Sequence, residues 1–470
     1  MNNSLNSRPK QKNYEMDMCQ GPILSNMIKF ALGVLGTSVL QQLFNTADLL
    51  VVGQFGHDGA LASVSATSSL INLFINLFVG LSVGAGIVVA KHYGAKNAEE
   101  TSKCLHTSVA ISVIGGLFLA VLVWFLAPTV LKMMDTPTEN GVFDGAVTYM
   151  RIYFLGMPFM LLYNFSASIL RAVGDSRRTF FYIIQAGIIN VILNLIFVIV
   201  LDMNVAGVAL ATSISQGYSA LRCIHCFYNY DGVLRLYFNK IRVFKDSLKD
   251  IAKLGIPSGI QGSLFSISNV IIQSSVNSFG ALAMEGAGAA ANIESYLYFA
   301  SNAVSNTVTN FTSQNFGAGK PDRIKKAAFY GMGLSAGICV LLGFFGITFS
   351  DMLLGFYTNN ETAIYYGGIR MTVICLSQFL CSLMEITTGL LRGLFHPLPA
   401  MISSIAGVCG IRILWISTVF AKYHSFWILY LSYPISWLLS FIVQGILCII
   451  YFKKFTISLS LFDKNKQEVH

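Results

Sequence analysis

Long apolar stretches, each interrupted by isolated polar residues, follow one another along nearly the whole chain. They fall near 28–53, 60–90, 103–131, 146–170, 178–202 and 205–229, then near 250–278, 282–310, 326–350, 363–392, 398–421 and 425–452. Each is long enough to carry about 20 predominantly apolar residues across roughly 30 Å of hydrocarbon. The runs are continuous and do not alternate every second residue, which argues for helices and against a transmembrane barrel. The pattern predicts an all-α polytopic membrane protein of twelve transmembrane helices. Small-residue runs such as Gly84-Ala85-Gly86 and Gly286-Ala287-Gly288 read as close helix packing.

The second six spans repeat the first at a shift of about 224 residues. Lys29 and the apolar run through Phe55-Gly56 answer Lys253 and the run through Phe279-Gly280. His92-Tyr93-Gly94-Ala95 followed by Lys96 answers Asn315-Phe316-Gly317-Ala318 followed by Lys320, and Ile169-Leu170-Arg171-Ala172 answers Leu390-Leu391-Arg392-Gly393. Six spans per repeat give both halves the same orientation, so the expected architecture is two pseudo-symmetric six-helix bundles. The divisions expected are an N-terminal segment at 1–27, an N-lobe at 28–230, a linker at 231–249, a C-lobe at 250–452 and a tail at 453–470. Transporters built from repeats bind substrate near mid-membrane and work by moving one bundle against the other.

Composition agrees and charge adds an orientation. Of 470 residues 54% are hydrophobic and 11% charged, against about 25% charged in ordinary soluble domains. The net charge of +9 would suit nucleic acid or an anionic membrane surface. Its distribution decides: Lys91, Lys96, Arg171, Arg177, Arg178, Arg235 to Lys249, Lys320 to Lys326, Lys453 and Lys454 all fall after even-numbered spans. Odd-numbered spans are followed by His57, Asp58, Lys132, Asp135, Glu139, Asp144, Asp202, Asp351 and Glu361. Basic residues stay on the cytoplasmic side, so both termini are expected in the cytoplasm of a protein of the cell membrane. That distribution needs no nucleic-acid partner. The polar N-terminus, with Pro9, Lys10 and Lys12, lacks the layout of a cleaved signal, and the first span is expected to remain. Cys223 and Cys226 around His225 have metal-like spacing without a second ligand pair, so no metal site is assigned. Gly331, Gly333 and Gly337 follow no strand, no P-loop signature is present, and no hydrolase constellation stands out. Neither an enzyme nor an ATP-driven pump is expected.

Polar residues inside apolar spans are costly and by default functional. Gln41, Asn45 and Asp48 recur at i, i+4 and i+7, on one helical face. Asn72 lies in span 2, Asn190 and Asn194 one turn apart in span 5, Asn269 and Gln273 in span 7, Glu294 in span 8, and Gln378 and Glu385 in span 10. At the 224 shift Asp48 meets Ile272 and Glu294 meets Leu70, so the halves do not share their acids. With Arg412 as the one basic residue counted against these acids, the interior is expected to attract cations.

In order along both halves, several segments resemble the MATE (multidrug and toxic compound extrusion) family of transporters. They are Phe44-Asn45-Thr46-Ala47-Asp48-Leu49-Leu50-Val51-Val52-Gly53, Gly94-Ala95, Leu170-Arg171-Ala172-Val173-Gly174-Asp175, Gln314-Asn315-Phe316-Gly317-Ala318-Gly319 and Leu391-Arg392-Gly393-Leu394. The resemblance spans about 28–455. It implies export of organic cations or other amphipathic small molecules in exchange for H+ or Na+, with no other cofactor, by a membrane-embedded carrier expected to be a monomer. Asp48 matches the family's ion-coupling acid, Asn190 its span-5 asparagine, and Thr212 resembles its span-6 hydroxyl. Two departures stand out: the second acid often found one turn after Asn190 is Asn194, and span 1 has Gly33 and Gly36 but no proline. The first leaves one carboxylate in place of two and favours protons over sodium. The remaining candidates, Gln41, Asn45, Asn72, Asn269, Gln273, Glu294, Gln378 and Glu385, are expected along the substrate path. A flippase for a lipid-linked precursor is the alternative, which would call for a basic cavity; a channel or sensor is disfavoured by the repeat.

Overall fold

Local signals set the helix boundaries. Asn97 caps α3 (Ala98–Met133) by accepting from the Glu100 amide at 3.1 Å, with Glu99 and Glu100 in the first turn and Lys132 in the last. Asp175 caps α6 (Ser176–Leu195) through the Arg178 amide at 3.0 Å, and Asn360 caps α12 (Glu361–Gly393) through Thr362 and Ala363. The computed structural model describes residues 14–57 and 59–468. Pro9, Lys10 and Lys12 of the N-terminal segment, Asp58 of the first connection and the end of the tail (469–470) lie outside the described residues.

The described residues form helices joined mostly by short turns, with a longer connection between Tyr228 and Lys245. The first half holds α1 (Ile23–Phe55), α2 (Ala60–Gly94), α3, α4 (Val142–Leu155), α5 (Met157–Ala172), α6 and α7 (Asn204–Tyr228). The second holds α8 (Lys245–Asn277), α9 (Ala281–Gly317), α10 (Pro321–Thr348), the short α11 (Ser350–Gly355), α12, α13 (Pro397–Ser404), α14 (Ile411–Trp415) and α15 (Phe426–Glu468). α4 and α5 are one rod bent by 48° at Gly156, where Pro158 lacks an amide donor. π-helical turns at Ile196–Val200 extend α6, and others at Ile405–Gly410 and Ile416–Phe420 make α13 and α14 one continuous rod. Counted this way the described residues give twelve rods, in agreement with the all-α, twelve-span expectation. Eight helices are long and apolar enough to cross a membrane, and the bent pair makes nine. The other three rods, α7, α8 and α9, carry many Ser, Thr, Asn and Gln, which lowers their hydropathy without shortening them.

One compact unit comprises the described residues up to Asp17 together with Gly36–Gly255; the other comprises Met18–Leu35 together with Ile256 onward. Within the first unit α5 packs on α2 and α3, and α7 on α4, α5 and α6, around Phe154, Met157, Leu161 and Leu131. Gly116 lets α3 approach α5: a Cβ there would come within 2.3 Å of the Pro158 Cα. Within the second unit α12 is the central helix, packed on α9, α10 and α15. Gly286 of α9 faces the Ala363 carbonyl of α12 at 2.0 Å from an added Cβ, so the two backbones touch. Helix starts recur at close to the same interval, Ile23 to Lys245, Ala60 to Ala281 and Asn204 to Phe426, an offset of 221–222 residues in place of about 224.

The segments read as plain connections are packed. In the first unit, Glu15 accepts hydrogen bonds from the hydroxyls of Tyr93 (2.9 Å) and Tyr230. Burial and the adjacent carboxylate raise the Tyr230 phenol above its ordinary value. Leu234 and Leu236 of the 231–249 stretch are buried, and the Tyr237 and Phe244 amides donate to His106 Nε2 at 3.1 Å and Thr107 Oγ1 at 3.2 Å. In the second unit, Met18 donates its amide to Gln314 Oε1 at 3.2 Å, and Arg323 donates to the carbonyls of Met18, Gln20 and Gly21 at 3.0–3.1 Å.

Candidate functional site

Four polar side chains meet in the first unit. α1 brings Asp48, α6 brings Asn190 and Asn194 from successive turns, and α7 brings Thr212. Asn194 Nδ2 donates to Asp48 Oδ1 and to Asn190 Oδ1 (3.3 Å); Asn190 Nδ2 donates to Thr212 Oγ1 (3.4 Å); Thr212 Oγ1 donates to Asp48 Oδ2 (3.2 Å). The four bonds close a ring in which each carboxylate oxygen accepts from a neutral donor. Among the described residues no Lys, Arg or His forms an ion pair with Asp48. Asn190 and Asn194 are buried, and Asn194 Oδ1 is enclosed without a donor. Buried acceptors without a partner are uncommon in folded proteins, and this one lies beside the only acid of the ring.

The ring opens on a cavity of about 430 Å³. Gln41 and Asn45 line it from the same face of α1 as Asp48, and Asn72 lines it from α2. Helical periodicity put Gln41, Asn45 and Asp48 on one face, and Asn72 stood out as a polar residue in an apolar span; the structure brings them together and adds Asn164 and Gln216, and an aromatic contribution from Phe44, Tyr149 and Tyr153. Phe44 owes its position to Gly187, where an added Cβ would fall 1.7 Å from the ring. Gln216 lies one turn beyond Thr212, a helical spacing that could have flagged it; the tyrosines carried no such signal among the many aromatics of the spans.

The candidates of the second unit are not gathered in this way. Asn269 and Gln273 are exposed on α8, where Gln273 Nε2 donates to Asn277 Oδ1 at 3.0 Å. Gln378 and Glu385 are buried on α12. Arg392, two turns beyond Glu385, exerts its field on that acid and donates to Gln261 Oε1 at 2.7 Å. Glu294 of α9 is clamped by Arg370 of α12: Nε lies 3.0 and 3.1 Å from its two oxygens, and Nη2 lies 2.8 Å from Oε2. This corrects the expectation that Arg412 alone balances the buried acids. Arg370 lies inside the tenth apolar run, and a guanidinium there requires a counter-charge; Glu294 supplies it. Held by a fixed protein cation, Glu294 is not an open carboxylate for a cationic substrate.

A family model described as MatE matches residues 34–196 and 257–416, once in each half. The chain belongs to the MATE family. Among relatives, it is 26% identical to the probable multidrug resistance protein YoeA of Bacillus subtilis (strain 168), across 83% of this chain and 85% of that protein. It is 24% identical to the probable multidrug resistance protein NorM of Thermotoga maritima, across 85% of this chain and 86% of that protein. Among solved structures, an outward-facing multidrug resistance MATE family transporter matches with a TM-score of 0.86 at 18% identity, covering 97% of this chain and all of that one. A MATE transporter in a bent conformation matches with a TM-score of 0.87 at 18% identity, covering 94% and 98%. These structures bear on the fold. This MATE protein is therefore a multi-pass membrane protein of a multidrug efflux transporter family, whose members are transporters.

Proposed function

We propose that this MATE protein is an antiporter that exports organic cations or amphipathic small molecules in exchange for an inward-moving cation, with Asp48 as the carrier of that cation. The observation behind this reading is the ring around Asp48: a carboxylate satisfied by neutral dipoles, beside a cavity, with no protein cation paired to it among the described residues. A carboxylate in such a place gains most from a mobile positive charge. The substrate enters the cavity against Phe44 and the tyrosines, and the ion displaces it by neutralising the acid. Coupling requires ion and substrate to favour different conformations of the protein; tight binding alone shifts nothing.

The ring favours protons as the coupling ion. It holds one carboxylate, since Asn194 stands where a second acid would be. A protonated Asp48 can also donate to Asn194 Oδ1 once that amide turns over, giving the enclosed acceptor its missing partner. Sodium would draw on the same oxygens with one negative charge to stabilise it. The protein acts in the cytoplasmic membrane, as a monomer, with both termini in the cytoplasm.

Reconstitution tests this reading. Ethidium accumulation in proteoliposomes is followed under an imposed pH gradient, then under an imposed sodium gradient, with Asp48→Asn in parallel. Accumulation driven by the pH gradient and lost in the variant supports proton antiport through Asp48. Drive by sodium alone moves the assignment to sodium, and full drive in Asp48→Asn overturns the role of the acid.

A further inference from the structure

The second unit carries a buried cation that the proposed ion pathway does not use. Arg412 belongs to the short α14, between the two π-helical turns, and is 4% exposed. Its guanidinium lies over the Tyr433 ring at 3.9 Å from the centroid and 5.8 Å from that of Trp437. Nε donates to Ser436 Oγ at 3.2 Å. Among the described residues no carboxylate lies within ion-pair distance, and neither Nη atom has an acceptor. The field of Arg370 reaches Arg412, but Arg370 is already matched to Glu294. The neighbourhood therefore has one positive charge in excess, on a group whose two outer nitrogens form a fork that no protein acceptor among the described residues engages.

The repeat gives this place independent meaning. Arg412 follows Asn190 by 222 residues, the same offset that separates Asn204 from Phe426, where the next helices begin. In the first unit Asn190 is bonded by Thr212 of the next helix; in the second, Arg412 is bonded by Ser436 of the next helix. The first unit is α-helical up to Leu195, beyond Asn190, whereas a π-helical turn at Ile405–Gly410 precedes Arg412 and changes the winding just before it. Such turns are frequent where a side chain is re-aimed for function.

We infer that Arg412 is the centre of a second binding site, at the position of the second unit that matches the Asp48 ring of the first, with the opposite preference. It takes the oxyanion of an aromatic amphiphile: a carboxylate or sulfonate accepts from the Nη fork, beside the Tyr433 and Trp437 rings that hold the guanidinium in place. A phospholipid headgroup offers the same oxyanion chemistry, and the test separates the two sources. The inference is independent of which cation drives export.

The full-length protein in phosphatidylcholine nanodiscs is titrated with fluorescein, an aromatic carboxylate, and with ethidium, by fluorescence anisotropy. Arg412→Gln is expected to weaken fluorescein binding by about tenfold or more while leaving ethidium affinity unchanged, since a charged fork is lost. Arg412→Lys, which keeps the charge but not the fork, is expected to fall between; unchanged ethidium binding certifies that either variant is folded. If added phosphatidylglycerol competes with fluorescein on the wild type and not on Arg412→Gln, the site accepts the lipid headgroup as well; without competition, the soluble acid is the occupant. Equal fluorescein affinity in the wild type and both variants, in both lipid compositions, overturns the site.

Discussion

In the first unit an acid is held by amides and a hydroxyl; in the second an acid is held by a guanidinium. Asp48 accepts from Asn194 and Thr212, neutral groups that orient around a charge without cancelling it. Glu294 meets Arg370 through three contacts between 2.8 and 3.1 Å, so its charge is matched whether or not anything binds. One repeated scaffold thus treats its carboxylates in two ways. A matched pair fixes α9 to α12; an unmatched acid leaves a position that a mobile cation can fill. Glu385 stands apart from both, buried near Arg392 and without the clamp that holds Glu294.

Removing each acid tests that contrast most strongly. Glu294→Gln leaves Arg370 buried without its partner, and the expected loss is about 3–5 kcal/mol, read as a lowered unfolding midpoint in detergent. Replacing both members with Met is expected to restore most of that loss; an unaltered midpoint in Glu294→Gln would show that the pair does not hold the helices. Asp48→Asn is expected to do the reverse, with stability kept and gradient-driven ethidium export reduced roughly a hundredfold, or about 2.7 kcal/mol.

Smaller effects separate the two units by packing. Gly286→Ala would drive a methyl against the Ala363 backbone, and overpacking of this kind costs about 1–3 kcal/mol. Gly187→Ala meets the far edge of the Phe44 ring, which can swing toward the cavity. It is expected to cost less stability and to weaken ethidium binding instead. Equal stability losses at the two glycines would mean that the cavity gives the ring no room. Thr212→Ala removes one hydrogen bond to Asp48, and a change of about 1 kcal/mol is expected in the apparent affinity for the driving ion. Transport measured across a range of that ion checks it, and an unchanged half-saturation would exclude Thr212 from the ion's path.

Much of this was legible along the chain. Continuous apolar runs report a lipid environment directly, because every segment must satisfy its backbone internally and face hydrocarbon. The repeat showed in short motifs at a nearly constant interval, and the i, i+4, i+7 spacing put Gln41, Asn45 and Asp48 on one face before any contact was known. Helical periodicity carries such information because neighbours on a face are close in sequence.

The tertiary structure decided how the charges are matched. Arg370 lies 76 residues from Glu294, Arg412 lies 24 from Ser436, and Thr212 lies 164 from Asp48. No periodicity within one helix reports which neighbour a side chain finds across a packed interface. The same holds for the polar stretches at 14–21 and 231–249, whose buried residues and hydrogen bonds depend on surfaces supplied by distant helices. The sequence by itself determined the solvent, the number of spans and the polar face of the first helix, since those follow from local pattern. Packing determined that Glu294 is paired, that Asp48 stands in a ring of neutral donors and that Arg412 keeps a fork that no protein acceptor among the described residues engages, since a buried charge is defined by what surrounds it in space.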